Sequence, residues 1–332
     1  MFQKSIDFLA IGDIATDAFI KIKEASVHCA VDTNRCEICM SFGDKVPFEF
    51  VKVIKAVGNS ANASVCASRL GLRASFITNI GDDQNGHDCI VELKKQKINT
   101  SYVRKHSDMA TNYHFVLWYD VDRTILVKHE EYDYQLPRIS PTPSWIYLSS
   151  LAQNSLKYHK DIEEYLKNNP KVKLAFQPGT FQMKLGIKQL EGIYDRTEVF
   201  IVNVEEAQRI LATESRNIKT LLAEIHAHGP KIVLITDGPK GAYMLDGDHF
   251  YFMPIYPDPK SPLERTGCGD SFAATFVSAL QMGKAPLEAL VWAPINPMSV
   301  IQYVGAQEGL LSLEQIQWFL HRAPEDYKPR EI

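Results

Sequence analysis

The chain has 332 residues, of which 45% are hydrophobic and 23% charged, with a formal net charge of -4. This composition permits a large buried core and excludes a disordered chain. The slightly acidic balance argues against a nucleic-acid or anionic-membrane partner, and no uninterrupted apolar run approaches the length of a bilayer span.

The start, Met1 to Asp7, has no basic stretch followed by a long apolar one, so no signal peptide is expected. With six scattered cysteines, the expectation is a cytoplasmic protein with reduced thiols. Residues 8–12 read as a buried strand, and further short apolar, β-rich runs follow at 74–80, 145–149, 173–177, 199–203 and 231–236. Amphipathic helix candidates lie between them at 59–70, 86–97, 160–168, 183–193, 205–211 and 218–227. This alternation predicts an α/β fold with a mainly parallel central sheet and helices on both faces. Residues 241–245 and 250–255 look like an edge hairpin, and helices at 270–282, 286–304 and 312–319 finish the chain.

Two segments, 19–57 and 101–128, show strand-like alternation without a helix. The second contains a hairpin, 112–119 and 124–127 around a turn at 120–123. Both read as a small β-lid on a single domain spanning 1–332, positioned to close over the strand ends. An exposed lid edge also invites pairing with a second copy, a homodimer. Within the lid, His28, Cys29, Cys36 and Cys39 include one C-x-x-C pair, but the adjacent His28-Cys29 is not a usual second zinc half-site.

Five motifs carry candidate chemistry. The most informative is Arg265-Thr266-Gly267-Cys268-Gly269-Asp270, followed by an Ala-rich helix. Free amides at such a helix start, with the helix dipole, favour anionic oxygen, and Asp270 beside them is placed to take a proton from a hydroxyl. Cys268 reads as a small spacer, since no basic partner that would activate a thiol is identifiable nearby. Val57-Gly58-Asn59-Ser60-Ala61-Asn62 opens another helix, either as cap and packing or with Gly58 admitting a ligand and Asn62 bonding its hydroxyls. Gly12-Asp13-Ile14-Ala15-Thr16-Asp17 follows the first strand, where Asp17 is a turn residue or a sugar ligand. Asn203-Val204-Glu205-Glu206 suits a helix start, or a Glu that holds hydrated Mg²⁺. Thr236-Asp237-Gly238-Pro239-Lys240-Gly241 is a hairpin turn or a nucleotide contact.

The order and spacing of these motifs resemble the ribokinase family, the PfkB carbohydrate kinases, over about residues 7–319. The late segment from Asn296 to Gln307 resembles the family's adenine-pocket wall. The resemblance implies a ribokinase-like three-layer α/β/α fold and transfer of the γ-phosphoryl group of ATP, with Mg²⁺, to a sugar hydroxyl. It makes Asp270 the general base and the amides of Gly267, Cys268 and Gly269 the anion hole. Asp17, Gly58 and Asn62 would grip the substrate. Asn203, Thr236, Gly238, Lys240, Gly241, Thr266 and Asn296 would receive the nucleotide, and Glu206 the Mg²⁺ through water. Some relatives are activated by a monovalent cation.

Four departures bear on substrate identity more than on reaction type: Val57 replaces a glycine, Ala15 a polar residue, Arg265 a threonine, and Gln177 an Asp or Asn. A nucleoside kinase remains the alternative, with Phe19, Tyr113, Phe115 and Trp118 offering base stacking. A catalytically silent nucleotide-binding protein is the rival from a different class.

Overall fold

The computed structural model describes residues 5–30, 35–120 and 122–332. Residues 1–4, part of the predicted lid (31–34) and Val121 of its hairpin turn lie outside the described residues. The strands, in chain order, are β1 (Phe8–Ile11), β2 (Ala15–Ile22), β3 (Ser26–Ala30), β4 (Arg35–Cys39), β5 (Phe48–Val57), β6 (Ala74–Gly81), β7 (Val103–His106), β8 (Asn112–Tyr119), β9 (Asp122–Leu126), β10 (Trp145–Leu148), β11 (Lys173–Phe176), β12 (Thr197–Asn203), β13 (Ile232–Thr236), β14 (Ala242–Asp246), β15 (His249–Met253) and β16 (Arg330–Glu331).

Ten of them form the central sheet, ordered β16-β15-β14-β13-β12-β11-β10-β1-β6-β7. Neighbours from β13 to β7 run parallel, and β14, β15 and β16 extend the other edge antiparallel. Side chains alternate between two cores, as a strand's period of two requires. Phe8 and Ala10 pack with residues of the helices Asn59–Arg69 and Cys268–Gln281, while Leu9 and Ile11 pack on the other side with Leu156–Asn168 and Ile218–His226. The result is the expected three-layer α/β/α arrangement. No helix among the described residues is long and apolar enough to cross a membrane.

Several expected elements change. The helix expected over 183–193 divides into Thr180–Leu185 and Glu191–Arg196, because the chain turns at Gly186 with φ 79°. The helix expected over 286–304 divides into Pro286–Trp292 and Ile295–Val300, with Pro294 at the break, where it has no amide to continue the ladder. The lid is a sheet in the order β5-β2-β8-β9, with β3-β4 as a separate ribbon. Its strand β2 starts at Ala15, before the expected boundary at 19. Val103 to His106, expected in the lid, instead form β7 on the central sheet beside β6. The lid's outer side leaves Val51, Val53, Phe115 and Leu126 exposed.

The expectation of six reduced thiols is corrected. Cys29 and Cys36 stand directly opposite each other on β3 and β4, with Cα atoms 4.0 Å apart, and form a disulfide. The C-x-x-C pair is thereby split, leaving Cys39 free. Among the described residues no three His, Cys, Asp or Glu side chains cluster as a metal site. Thiol titration of the denatured, unreduced protein is expected to count four thiols, those of Cys39, Cys66, Cys89 and Cys268. A count of six without reductant would refute the disulfide.

Candidate active site

Asp270 lies in the first turn of the helix Cys268–Gln281 and is buried. Gly267 caps that helix at φ 81°, with no side-chain cap bond, so the cap leaves the first-turn amides to other acceptors. A Cβ on Gly267 would come within 2.3 Å of the Ala306 Cβ, so only glycine lets the loop lie against the 305–307 turn. Glu264, itself buried, ties the two segments together by accepting from the amides of Thr266 and Gly305, both at 2.6 Å.

A buried carboxylate must be hydrogen-bonded. Asp270 accepts from the side-chain amides of Asn59 at 2.9 Å, Asn62 at 2.8 Å and Gln177 at 3.2 Å. Two of these donors are themselves oriented. Gln307 Nε2 donates to Asn62 Oδ1 at 2.9 Å, and the Tyr147 hydroxyl donates to Gln177 Oε1. Burial holds the Asp270 pKa above the ordinary carboxylate range, opposed by these donors and by the charge of Arg123. Burial also pushes the Cys268 thiol up to about 12, so it stays neutral and fills space.

On one side of this carboxylate a cavity of about 380 Å³ opens at the ends of β12 to β14. Asn203, Thr236, Gly238, Gly241, Cys268 and Gly269 line it, with Ile255, Phe272, Pro297 and Met298 as apolar walls. Arg265 also lines it, and its charge opposes the effect of burial on Asp258. Asn203 and Glu206 form a reciprocal capping box, Glu206 N to Asn203 Oδ1 at 2.8 Å and Asn203 N to Glu206 Oε2 at 2.9 Å. Burial raises the Glu206 pKa, the Asn203 amide opposes that, and the charge of Asp270 adds to it. Glu206 lies outside the cavity lining while its neighbour Glu205 is part of it; hydrated Mg²⁺ takes one or two carboxylates alongside phosphate oxygens, and acidic residues at this end of the cavity suit it.

On the other side lies the lid root. Asp17, buried on β2, accepts from His114 Nδ1 at 3.1 Å, and the His114 ring stacks on His129 with centroids 5.1 Å apart. His129 Nδ1 lies 3.3 Å from Asp13 Oδ2, and the Tyr134 hydroxyl bonds both Asp13 oxygens at 2.8 Å.

Several of the expected site residues are engaged within the protein or lie outside the cavity lining. Asn62 holds the Asp270 carboxylate through Nδ2 and accepts from Gln307 at Oδ1, so its amide is oriented from within the protein. The room at Gly58 is taken by the chain itself: a Cβ there would meet the Asp13 carbonyl at 2.8 Å. Asn296 is fully buried, bonding Thr275 Oγ1 at 2.8 Å and accepting from the Leu311 amide at 2.8 Å, so it is a core residue and the cavity wall is made by Pro297 and Met298. Lys240 pairs with Asp237 at 3.1 Å outside the lining, and Thr266 also lies outside it, its hydroxyl buried and unpartnered. Tyr147 and Glu264 were not singled out from sequence, where each is an isolated residue without a spacing pattern; Asp13 and Gln307 stand inside quoted motifs, but no role of their own was read for them.

With this geometry, comparison with known proteins gives a family. Residues 52–312 match the model of the pfkB family carbohydrate kinases, and the chain belongs to that family. It is similar to the probable fructokinase-4 of Arabidopsis thaliana, 26% identical over 291 residues that cover 78% of this chain and 87% of the relative. The fold is that of the ribokinases. The structure of Arabidopsis thaliana ribokinase complexed with ribose and ATP matches at TM-score 0.77 and 20% identity, covering 96% of this chain and 99% of that one. The Methanocaldococcus jannaschii nucleoside kinase, an archaeal member of the ribokinase family, matches at TM-score 0.77 and 17% identity, covering 96% and 100%.

Asn296→Ala removes a bridge within the core and is expected to cost about 1–3 kcal/mol of stability. The Kd for ADP should stay unchanged; a tenfold loss of ADP affinity at preserved stability would return Asn296 to the nucleotide site.

Proposed function

We propose that this protein transfers the γ-phosphoryl group of ATP to a hydroxyl of a sugar. The observation that carries the reading is Asp270, a buried carboxylate held by three side-chain amides beside a helix start and between a nucleotide-sized cavity and a lid. The apolar walls at Phe272, Pro297 and Met298 suit a flat base, and the polar end at Asn203, Thr236 and Gly269 suits phosphates. The amides of Gly267, Cys268 and Gly269 meet charge developing on the transferred group. Mg²⁺, bound with the triphosphate and held by Glu206 through water, would neutralise phosphate charge. Asp17, oriented by His114, accepts hydrogen bonds from acceptor hydroxyls under the lid.

Two of the four lid aromatics that could stack a nucleoside base are not placed to do so. Phe115 is exposed on the outer side, and Trp118 is already packed, with Phe50 edge-on at 5.9 Å and Lys21 over its ring at 4.1 Å. Neither leaves a stacking slot for a second base. A silent nucleotide binder would have no need for a buried, fully hydrogen-bonded Asp at the transfer point.

ATP consumption across a panel of sugars, sugar phosphates and nucleosides tests the acceptor class, and turnover confined to nucleosides would overturn the sugar reading. Asp270→Asn is expected to lower kcat by roughly 10²–10⁴-fold with ATP affinity nearly intact; near-normal turnover would remove Asp270 from the role of base. The base must be ionised, so kcat/KM should fall as pH drops through its pKa. Because burial raises that pKa, the acid limb is expected above the ordinary aspartate value of 3.8. A limb at or below that value would contradict the burial argument.

A further inference from the structure

Two buried nitrogens of the lid have no hydrogen-bond partner, Nε2 of His114 and Nε of Arg123. Arg123 stands on β9 directly opposite Trp118 of β8. Residues opposite each other in an antiparallel pair project to the same side, so Arg123 shares the side of Trp118, Val116 and His114. The parallel pairing of β8 with β2 sets His114 beside Asp17, placing that residue on this side too. Val116 and Trp118 are buried, whereas the alternate residue Phe115 is exposed, so this is the side turned toward the body of the protein. The Arg123 charge is felt at two groups, Asp270 and Cys268. Those residues are the base and the middle of the amide cradle. An always-charged side chain with a free, buried donor therefore faces the point where phosphoryl charge moves.

We propose that Arg123 is a catalytic residue that binds the γ-phosphoryl group of ATP from the lid side, opposite the amides of Gly267 to Gly269. The inference rests on the kinase reading above. In the step it serves, the acceptor oxygen bonds to the γ-phosphorus while the bond from that phosphorus to the β,γ-bridging oxygen breaks. The bridging oxygen leaves on ADP with the electron pair, and the hydroxyl proton passes to Asp270 and then to water. The peripheral oxygens of the group in flight meet amides on one side and the guanidinium on the other. Because Arg123 is carried by the lid, its cation is in place only when the lid is down, which couples closure over the acceptor to readiness for transfer.

An acceptor bearing its own phosphate would offer the guanidinium the same chemistry from another source. The test is calorimetric titration of wild type, Arg123→Gln and Arg123→Lys with Mg-ADP, with the Mg complex of β,γ-imido-ATP, and with D-fructose and D-fructose 6-phosphate. Arg123→Gln is expected to weaken the imido triphosphate about tenfold and ADP less than about twofold, with Arg123→Lys intermediate. Unchanged affinity for the triphosphate overturns the proposal. So does a loss confined to fructose 6-phosphate, which would assign Arg123 to an anionic acceptor. Equal losses for ADP and the triphosphate in both variants would mark a structural role and also overturn it. If wild type bound neither nucleotide, the kinase reading itself would fall first.

Discussion

The structure turns on one buried charge. Asp270 cannot be desolvated without donors, and its three come from segments far apart in the chain: Asn59 and Asn62 from the first long helix, Gln177 from the end of β11. Each bond is modest alone, but together they fix the relative placement of two helices and a strand end. The outer contacts narrow the choice further. Gln307 leaves the Asn62 amide only one sensible orientation, and Tyr147 does the same for Gln177. Gln177 is long enough for both contacts, its Nε2 lying 3.2 Å from Asp270 while its oxygen stays on Tyr147. The longer side chain thus bears on how the Asp270 carboxylate is held.

Close backbone approaches put this charge at a two-sided site. A Cβ at Gly12 would strike Ser60 Oγ at 2.4 Å, so the end of β1 and the first long helix meet only because that position is bare. Ser60 then bonds the Ile11 carbonyl at 2.7 Å, locking the contact. Gly267 does the equivalent for the later loop against Ala306. The lid root, with Asp13 and Asp17, and the cavity lined by Asn203 and Thr236 are thereby brought to the same carboxylate.

Much of this was legible in the sequence, for identifiable reasons. The parallel strands are buried on both faces and read as continuous apolar runs, so their positions agree to within a residue or two. The loop at Gly267 to Asp270 was legible because its special backbone needs are local. Strand β7 was misassigned because its pattern, one buried residue in four, is that of an edge and not of a core strand. Roles that depend on long-range contacts were not legible: Gln307 meets Asn62 across 245 residues, and Glu264 meets Gly305 across 41. Asn296 misled for the same reason, since a polar residue near a pocket wall gives no sign of whether its amide is satisfied from within.

The buried carboxyl of Asp270 has a thermodynamic consequence that sets stability against the proposed function. A carboxyl whose native pKa exceeds its unfolded value binds its proton more tightly when folded. Its contribution to stability is therefore most favourable below the unfolded pKa and declines as pH rises through the native value. Above that pH the protein carries the full cost of an ionised group in a dry site, which is the state the proposed chemistry needs. Glu206 adds to the same cost, because its own raised pKa and its coupling to Asp270 place two acids in one field. The lid guanidinium of Arg123 already opposes part of that cost, and a bound cation would oppose more of it once substrates are present. On this reading the loaded site carries less of the repulsion between the two acids than the empty one, which is where binding energy would serve the proposed chemistry.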